Sequence, residues 1–506
     1  MITLAKIANL LKENQLVREF IIDNEWHYAI SEDVAESTIS HITYDSRAIK
    51  EGSLFFCKGL AFKSDYLEQA IADGAGFYVT EVNYEIQSDA VGIIVTDIKK
   101  AMALISMAFY DFPQDELKVI AYTGTKGKTT AAYFCKYILE KATNQKTALL
   151  STMETILDGK TSIKSLLTTP ESVDLYRMMR EAVSNGMSHL VMEVSSQAYK
   201  TDRVYGLNFD VGIFLNISED HIGTIEHPDF DDYFYCKRQL LKHSKQVILN
   251  KNSDFYAILE DVAKESTDKV ITYGDDSVEA DYTFIPSSEG KGKFEVVAKE
   301  DKLAIAGDYA INLLGDFNQG NALSAMMATA LVGAKKEAMS EGLSLAKVPG
   351  RMDSCVTNKG VPVYVDFAHN LLSLHTLLSF VKKEHPESKL VVLIGSTGGK
   401  GVSRRHDFGN VLSELADIAV LTSDDPGHEK AEDIIAEIQE TMTDTVRCEI
   451  EVDREKAIEL ALNLAGENDV VVLAGKGSDK YQVIGDERTP YEGDLEIANK
   501  LIEGGY

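Results

Sequence analysis

The chain has 506 residues, of which 44% are hydrophobic and 26% charged, an ordinary balance for a globular protein,. Its formal net charge of −29 argues against a nucleic-acid-binding or anionic-membrane-binding protein, because either would need a broad basic face,. Five cysteines lie far apart without a CxxC pair, which indicates reduced thiols rather than a disulfide framework or a zinc site,.

The first 110 or so residues are predicted to form a separate N-terminal domain. Their first segment, MITLAKIANLLKENQ, lacks the long apolar core of a signal peptide,. The apolar run Ala101–Tyr110 is too short to cross a bilayer and predicts a buried helix,. We therefore expect a cytoplasmic protein without membrane insertion. The turn-like segment Phe112–Glu116 indicates a domain boundary, so the first domain is expected to cover residues 1–112,.

Runs of Val, Ile and Leu then alternate with helix-like stretches. This pattern is typical of parallel strands joined by crossover helices, an α/β fold. A central domain is expected over residues 113–347 and a C-terminal domain over residues 348–506, with the boundary near Val348–Gly350. The predicted strands are Lys118–Tyr122, Leu190–Val194, Val211–Asn216 and Val247–Asn250, followed by Leu390–Gly395, Ile418–Thr422 and Asp469–Ala474.

Polar motifs directly follow several of these strands. They are TGTKGKTT, EVSS, NISEDH, SDDPG and GKGSD. Ligands of open α/β sheets bind outside the carboxyl ends of the strands. We therefore expect these loops to face one shared cleft.

The motif TGTKGKTT, between a strand and the helix-like segment Ala131–Lys141, predicts a phosphate loop. Its glycines let backbone N–H groups approach phosphate oxygens, Lys128 can reach the β- and γ-phosphates, and the Thr129 hydroxyl can ligate Mg²⁺. The spacing is shorter than the common GxxxxGK[ST], and the alternative is a plain glycine-rich turn. The lysines of two other GK pairs, Lys400 and Lys476, precede no Ser or Thr and are not interpreted as phosphate lysines. The predicted ATP-binding residues are Gly124, Thr125, Lys126, Gly127, Lys128, Thr129 and Thr130.

Three further residues remain ambiguous from spacing alone. Glu193 ends an apolar strand, where a carboxylate is costly unless it is paired or bound to a metal. His221 also follows a strand, but Mg²⁺ prefers oxygen ligands, so spacing alone favours a structural role over a metal ligand. Lys237 has the pattern of an ordinary lysine on an amphipathic helix.

Taken together, nine motifs in order resemble those of the Mur ligase family over nearly the whole chain. They are YDSRAIKEGSLFFCKG, TGTKGKTT, LTTPES, MEVSSQAYKTDRVYG, NISEDHIG, GDFNQGN, VPGRMD, DFAHN and AGKGSDKYQ. The resemblance implies a uridine-nucleotide-binding α/β domain, a central P-loop ATPase-like domain with a parallel sheet, and a C-terminal Rossmann-like domain. It also implies an ATP- and Mg²⁺-dependent ligase that joins an amino acid to a UDP-linked muramoyl peptide through an acyl phosphate.

The resemblance also implies roles for individual residues. Ser46 would contact the uridine nucleotide, and Lys237 stands where the family has a carbamylated lysine, in place of the surface role suggested above. Addition of CO₂ turns that amine into a carboxylate, which can bind Mg²⁺ where an ammonium cannot. The muramoyl peptide would be held by Thr168, Thr169, Ser195 and Arg203, ATP also by Asn318, Arg351 and Asp366, and Mg²⁺ by Thr129, Glu193, His221 and carbamylated Lys237.

The loop at Asp424 bears on which amino acid is added. Family members that take meso-diaminopimelate typically carry DNPR, whose arginine can pair with the extra carboxylate. This chain has DDPG, which leaves that carboxylate unpaired, at a cost,. We therefore expect L-lysine, with Asp424 and Asp479 near its ammonium and Arg405 or a nearby basic residue on its α-carboxylate. The remaining residues predicted for this pocket are Asp425, Pro426 and Gly427.

Some alternatives stay open. The ligase could add meso-diaminopimelate or ornithine. A folylpolyglutamate synthetase is disfavoured because it lacks a uridine-binding module. A non-enzymatic nucleotide switch is disfavoured by the substrate-like motifs LTTPES and SSQAYKTDR. The expected partners are UDP-N-acetylmuramoyl-L-alanyl-D-glutamate and L-lysine, with no nucleic acid, and we expect a monomer.

Overall fold

The computed structural model describes residues 1–59, 62–223, 226–288, 290, 292–313 and 315–506. Three large sheets, each flanked by helices, follow one another along the chain. None of the described helices combines the length and apolar character needed to span a bilayer. The helices are Leu4–Glu13, Glu32–Ala35, Ser64–Ala72, Ile98–Phe109, Lys128–Thr143, Ser172–Ser184, Ser196–Lys200, Phe230–Lys242, Tyr256–Ser266, Phe317–Leu331, Lys336–Leu345, Leu371–Glu384, Ser403–Leu415, Ala431–Gln439, Arg454–Leu464 and Asp494–Glu503.

The N-terminal sheet has six strands and mixed direction. Its last four strands in spatial order are parallel, and the first two pair antiparallel at one edge. The predicted buried helix is confirmed as Ile98–Phe109. In spatial order the strands are Glu25–His27, Val17–Ile22, Val91–Val95, Ala75–Thr80, Ser53–Phe56 and His41–Thr43, and a short pair joins Ile2–Thr3 to Thr38–Ile39.

The central sheet has eleven strands, and its middle seven are parallel. An antiparallel pair extends the sheet at each end. In spatial order the strands are Ser162–Lys164, Glu154–Ile156, Thr147–Leu150, His189–Glu193, Lys118–Thr123, Val211–Phe214, Val247–Asn250, Val270–Asp275, Tyr282–Pro286, Lys293–Ala298 and Gly307–Ala310.

The helix after the phosphate loop packs closely against its neighbours. A Cβ at Gly342 would lie 2.6 Å from Cα of Ile138, so glycine lets the helix Lys336–Leu345 approach the helix Lys128–Thr143,. The close contact helps to orient the helix Lys128–Thr143, whose first residues follow the phosphate loop.

The C-terminal sheet has six strands, five of them parallel. The strands are Asp353–Val356, Pro362–Asp366, Val470–Ala474, Leu390–Ile394, Ile418–Leu421 and Arg447–Ile450 in spatial order, and a separate hairpin joins Tyr481–Ile484 to Glu487–Pro490.

All seven strands predicted in the central and C-terminal regions are present, with ends that agree within about two residues,. Each of the three large sheets lies inside one of the predicted domain ranges, although the exact boundaries remain predictions. Because neighbouring strands in each parallel region run the same way, the loops that follow them lie at one edge of their sheet.

Candidate active site

The phosphate loop connects a buried strand to the start of a long helix. The strand Lys118–Thr123 ends at the loop, and the helix begins at Lys128. Gly127 has a φ of +83°, and a Cβ there would lie 2.4 Å from Oδ1 of Asn321, so the position requires glycine,. The free N–H groups and partial positive charge of a helix N-terminus favour an anion. The loop therefore has the local geometry to bind nucleotide phosphates.

Two buried lysines converge on one carbonyl oxygen of this loop. Nζ of Lys128 donates to O of Gly124 at 2.8 Å, and Nζ of Lys237 donates to the same oxygen at 2.6 Å. Burial lowers the pKa of both lysines, and the charge of Lys128 lowers the pKa of Lys237 further,. Two ammonium groups this close repel each other, so the arrangement favours a neutral amine at Lys237.

Glu193 is a fully buried carboxylate at the end of its strand. It accepts hydrogen bonds from the backbone N–H and the hydroxyl of Thr152, at 2.9 and 3.1 Å. The Thr152 hydroxyl is also 3.0 Å from that of Thr168. Within the described ranges, no basic side chain lies within 4.0 Å of the Glu193 oxygens. A buried carboxylate with no basic group in direct contact fits a site that takes up a cation.

The residues predicted to hold the muramoyl peptide lie together beside Glu193. The Thr169 hydroxyl donates to the carbonyl of Glu193 at 3.0 Å and accepts from the backbone N–H of Ser195 at 3.0 Å. Nη1 of Arg203 donates to the carbonyl of Thr169 at 3.2 Å. These residues therefore form one surface next to the buried carboxylate.

The N-terminal region contacts this surface through polar side chains. Lys58 forms an ion pair with Glu171, and the hydroxyl of Tyr44 donates to Asp174 at 2.6 Å. Ser46, predicted to contact the uridine nucleotide, begins a 3₁₀ turn two residues after Tyr44. Ser46 therefore lies close to the contact between the first two sheets.

Asp220 joins the central and C-terminal regions. Its carboxylate accepts hydrogen bonds from Arg404 and Asn370, both at 2.8 Å, and lies 3.6 Å from Nζ of Lys126. Burial opposes ionisation of Asp220, but the charges of Lys126 and its neighbours outweigh burial and lower its pKa,. The ionised carboxylate is therefore the common partner of three groups from two domains.

His221 follows Asp220 in a strained conformation. Its φ is +56°, and its Nδ1 lies 3.0 Å from the carboxylate of Glu226. A histidine with left-handed backbone is uncommon and marks a constrained loop. The strands that lead to Glu193 and to His221 lie on either side of the phosphate-loop strand. The loops after these strands therefore lie at the same edge of the central sheet, as a shared cleft would require.

Asn318, Arg351 and Asp366 also lie near the phosphate loop. Asn318 is buried and accepts a hydrogen bond at 3.2 Å from Asn321, the residue that contacts Gly127. Burial lowers the pKa of Lys126 to about 7, and the charge of Arg351 contributes. Asp366 is buried at the end of its strand, and burial raises its pKa.

Three carboxylates and a buried lysine form the candidate amino-acid pocket. Asp424, Asp425 and Asp479 border a cavity of about 90 Å³. Nζ of Lys476 lies 3.3 Å from Oδ1 of Asp424 and also pairs with Asp425. The expectation that Asp424 faces a substrate ammonium must be modified, because Asp424 already has an internal counter-ion. Asp479 pairs instead with Lys164, which belongs to the central sheet, at 3.1 Å.

The structure distinguishes two neighbouring arginines at the start of the helix Ser403–Leu415. Arg405 is 1% exposed, and its guanidinium pairs with Glu429 and Glu437, each at 2.9 Å, and with the carbonyl of Thr397. Arg404 lines the cavity. Arg405 is therefore held in place by its own partners and is not free for a substrate carboxylate, and Arg404, which pairs with Asp220, is the basic residue at the cavity.

Pro426 and Gly427 form a turn against the hairpin that follows Lys476. The N–H of Gly427 donates to the carbonyl of Val483 at 3.0 Å, and its carbonyl accepts from Gly485 at 2.7 Å. A Cβ at Gly427 would meet no atom within 4 Å. The turn is therefore fixed by its backbone and has room for a larger side chain.

A second group of potential metal ligands lies outside this site. Ligand atoms of His227, Asp232 and Cys236 lie within 4.8 Å of one another. His227 is hydrogen-bonded through both ring nitrogens, to Asp232 and Ser196, and Asp232 pairs with Lys200. The lysine already supplies the positive charge that a metal would bring, so we assign no metal to this group.

Comparison with family models covers the regions that carry the site. Residues 122–329 match the Mur ligase middle domain, and residues 350–477 match the Mur ligase glutamate ligase domain. The chain belongs to the Mur ligase family. The predictions of family and of fold class are thereby confirmed.

Full-length relatives of this Mur ligase are similar throughout. A UDP-N-acetylmuramoyl-L-alanyl-D-glutamate--L-lysine ligase of Enterococcus faecalis is 55% identical over 99% of this chain and 99% of its own. The ligase of the same name from Streptococcus thermophilus is 48% identical over 99% of this chain and 100% of its own. A solved UDP-N-acetylmuramoyl-L-alanyl-D-glutamate--2,6-diaminopimelate ligase shares the fold, with a TM-score of 0.63 and 23% identity over 94% of this chain and 97% of that one.

Sequence reasoning did not identify several residues of the Mur ligase site. Lys476 was set aside because no hydroxyl residue follows it, although its place directly after a buried strand could have indicated a role. Asn370 and Thr152 contact Asp220 and Glu193 from parts of the chain that are distant in sequence. Arg404 lies at the start of a helix, and the sequence did not establish how its basic residues align with those of the family.

A buried ion pair supports the amino-acid pocket from behind. Arg454 and Asp494 are fully buried and joined by two hydrogen bonds of 2.9 and 2.7 Å. Arg454 also donates to the carbonyls of Ser423 and Ala474, at 3.2 and 2.9 Å, and these residues precede Asp424 and the Lys476 loop. The pair therefore holds two loops of the pocket in register.

Asp494→Ala should lower the free energy of unfolding of the C-terminal domain by about 3–5 kcal/mol, because it leaves the Arg454 charge buried without a partner. Chemical denaturation followed by circular dichroism would measure the loss. Glu449→Ala removes the partner of Arg447 in an exposed pair and should cost at most about 1 kcal/mol,. Equal losses of stability in the two variants would contradict the stabilising role of the Arg454–Asp494 pair.

Proposed function

We propose that this Mur ligase adds L-lysine to UDP-N-acetylmuramoyl-L-alanyl-D-glutamate at the expense of ATP. The observation that carries the choice of lysine is the pocket, where three carboxylates border the cavity and glycine occupies position 427 in place of an arginine. The names of relatives at 55% and 48% identity support the same reaction. The product would serve peptidoglycan synthesis, and so cell shape and division, in a cytoplasmic, monomeric enzyme.

The first step would transfer a phosphoryl group. A carboxylate oxygen of the D-glutamyl residue attacks the γ-phosphorus of ATP, the bond to the β–γ bridging oxygen breaks, and ADP leaves with the electron pair. Lys128 would stabilise the charge that develops on the phosphate oxygens, while the loop 124–130 positions them. Asn318, Arg351 and Asp366 would hold the nucleotide, with Asp366 near its ribose.

The second step would form the amide. The neutral amine of the incoming amino acid attacks the acyl carbon, inorganic phosphate leaves with the electron pair, and the amine loses a proton. An acyl phosphate exposed to water would hydrolyse, so the domains must exclude water. The hydrogen bonds from Arg404 and Asn370 to Asp220 close the cleft between the central and C-terminal regions.

The residues at the carboxyl edge of the central sheet fit Mg²⁺, because Glu193 is a buried carboxylate with no basic side chain of the described residues within 4.0 Å of its oxygens. Mg²⁺ would be held by Thr129, Glu193, His221 and Lys237, the last as its carbamate. When bound, it would neutralise charge on the phosphates. The low pKa of Lys237 favours the neutral amine, which is the form that reacts with CO₂. Thr168, Thr169, Ser195, Arg203 and Ser46 would hold the UDP-linked substrate.

Incubation with UDP-N-acetylmuramoyl-L-alanyl-D-glutamate, ATP and a panel of amino acids should give ligation with L-lysine. The ratio of kcat/KM for L-lysine to that for meso-diaminopimelate should lie well above one, because glycine at position 427 provides no guanidinium for the second carboxylate. Ornithine, one methylene shorter, should be discriminated against by only ~1–3 kcal/mol. A ratio below one would overturn the assignment, and phosphate release without any ligated product would indicate a nucleotide switch.

Gly427→Arg provides a gain-of-function variant for the same prediction. The new side chain has space, although the φ of +58° makes a non-glycine residue cost ~1–2 kcal/mol there,. The introduced guanidinium should raise kcat/KM for meso-diaminopimelate and lower that for lysine. Gly427→Ala, which adds the same backbone strain without charge, is the matched control and should not improve use of diaminopimelate.

A further inference from the structure

The antiparallel strand pair at one end of the central sheet reaches the C-terminal domain. The edge strand Ser162–Lys164 is exposed along its length and pairs with Glu154–Ile156. Its last residue, Lys164, places Nζ 3.1 Å from Oδ1 of Asp479 and 3.9 Å from the centroid of the Tyr481 ring. The Tyr481 ring also faces Nζ of Lys476 at 5.2 Å and Cζ of Arg488 at 4.8 Å, so the contact with Asp479 is what distinguishes the position of Lys164,.

The charges of the pocket show why this contact matters. Three carboxylates, from Asp424, Asp425 and Asp479, border the cavity. Lys476 lies between the first two, so its ammonium is fixed inside the C-terminal domain. Lys164 supplies the second cation from a different domain, through a side chain that is 41% exposed. Of these two lysines, Lys164 is partly exposed and Lys476 is buried.

We propose that Lys164 is a specificity-determining residue that occupies the ammonium position at Asp479 and Tyr481 until the side-chain ammonium of the incoming amino acid displaces it. The proposal rests on the function proposed above. A second ammonium at the Asp479 carboxylate would be repelled by the ammonium of Lys164. Binding of the amino acid therefore competes with the contact of Lys164. The apparent affinity for lysine is reduced by the fraction of enzyme in which Lys164 holds the position.

The competition predicts that removing the ammonium of Lys164 improves lysine binding. Lys164→Gln should lower the KM for L-lysine roughly two- to fivefold, as expected for removal of a partly exposed ion pair. A lysine that merely braced the site would give the opposite result, a raised KM. Lys164→Arg keeps the cation and should keep the wild-type KM. Lys160→Gln changes an exposed lysine at the turn of the same hairpin and should also leave KM unchanged.

A double-mutant cycle tests whether the effect passes through Asp479. Asp479→Asn removes the shared carboxylate, so Lys164→Gln added to it should change the KM for lysine by less than the single substitution does. Titration calorimetry of lysine binding to enzyme loaded with the UDP-linked substrate should show the same order of affinities. An unchanged or raised KM in Lys164→Gln, or an equal effect in both backgrounds, overturns the proposal. Failure of the wild-type enzyme to use lysine at all would instead overturn the proposed function.

Discussion

Lys128→Ala is expected to lower the turnover number at least ~10²-fold, by analogy with removal of one preorganised donor from a developing charge. Lys128 is the first residue of the helix after the phosphate loop, and its amine lies 2.8 Å from the carbonyl of Gly124. Alanine leaves the loop backbone intact but removes a positive charge that would face the transferring phosphoryl group. The main loss should therefore appear in kcat rather than in the KM for the amino acid.

The measurement is ADP release coupled to a product assay, together with the melting temperature of each variant. Lys141→Ala changes an exposed lysine on the same helix, where its partner is Glu341, and should retain wild-type turnover. A normal melting temperature with lost turnover would show that Lys128→Ala impairs the catalysed reaction and not the folding of the protein. If the variant instead turns over like the wild type, Lys128 is not the phosphate lysine.

The parallel strands and their loops could be predicted because their signals are local. A buried parallel strand requires a run of apolar residues, and the polar residue after it lies at the carboxyl edge of the sheet. Glu193 and the phosphate loop were located in this way. The exposed strand Ser162–Lys164 was not predicted, because it has no apolar run and depends on its pairing with a neighbour.

The pairing of charges could not be read from the sequence. Arg404 and Arg405 are adjacent, yet one lines the cavity and the other is buried between two glutamates, because successive residues of a helix face different directions,. Lys476 and Asp424 come from different strands, and only the order of the strands in the sheet brings them together. The family resemblance therefore predicted which residues form the pocket, whereas the counter-ion of each carboxylate is visible only in the structure.

Lys237 is the clearest example of a side chain whose burial the sequence did not predict. Its helix, Phe230–Lys242, has the pattern of an amphipathic surface helix, and spacing alone indicated an ordinary lysine. The structure leaves Lys237 only 2% exposed, because the phosphate loop packs over it. Family resemblance indicated its importance, whereas periodicity did not.

Lys237→Ala is expected to abolish nearly all turnover. If the carbamate of Lys237 is an anionic ligand of Mg²⁺, its removal should cost more than the ~10–100-fold typical of losing an outer partner of a metal ligand. Formate or acetate should partly restore turnover, because a short carboxylate can occupy the position that the carbamate leaves. Lys242→Ala, an exposed lysine at the end of the same helix, is the matched control and should have normal turnover.

Dependence on CO₂ tests the same group in the unaltered enzyme. Carbamate formation joins the nitrogen of a neutral amine to the carbon of CO₂ and releases one proton, so a lysine with an ordinary pKa would react poorly at neutral pH. Burial and the charge of Lys128 lower the pKa of Lys237, which removes that obstacle. Turnover should therefore fall in buffer depleted of CO₂ and recover with bicarbonate. A high-resolution map with Mg²⁺ and nucleotide bound that shows a bare amine at Lys237 would contradict the carbamate, because an unmodified lysine there offers the metal no anionic oxygen.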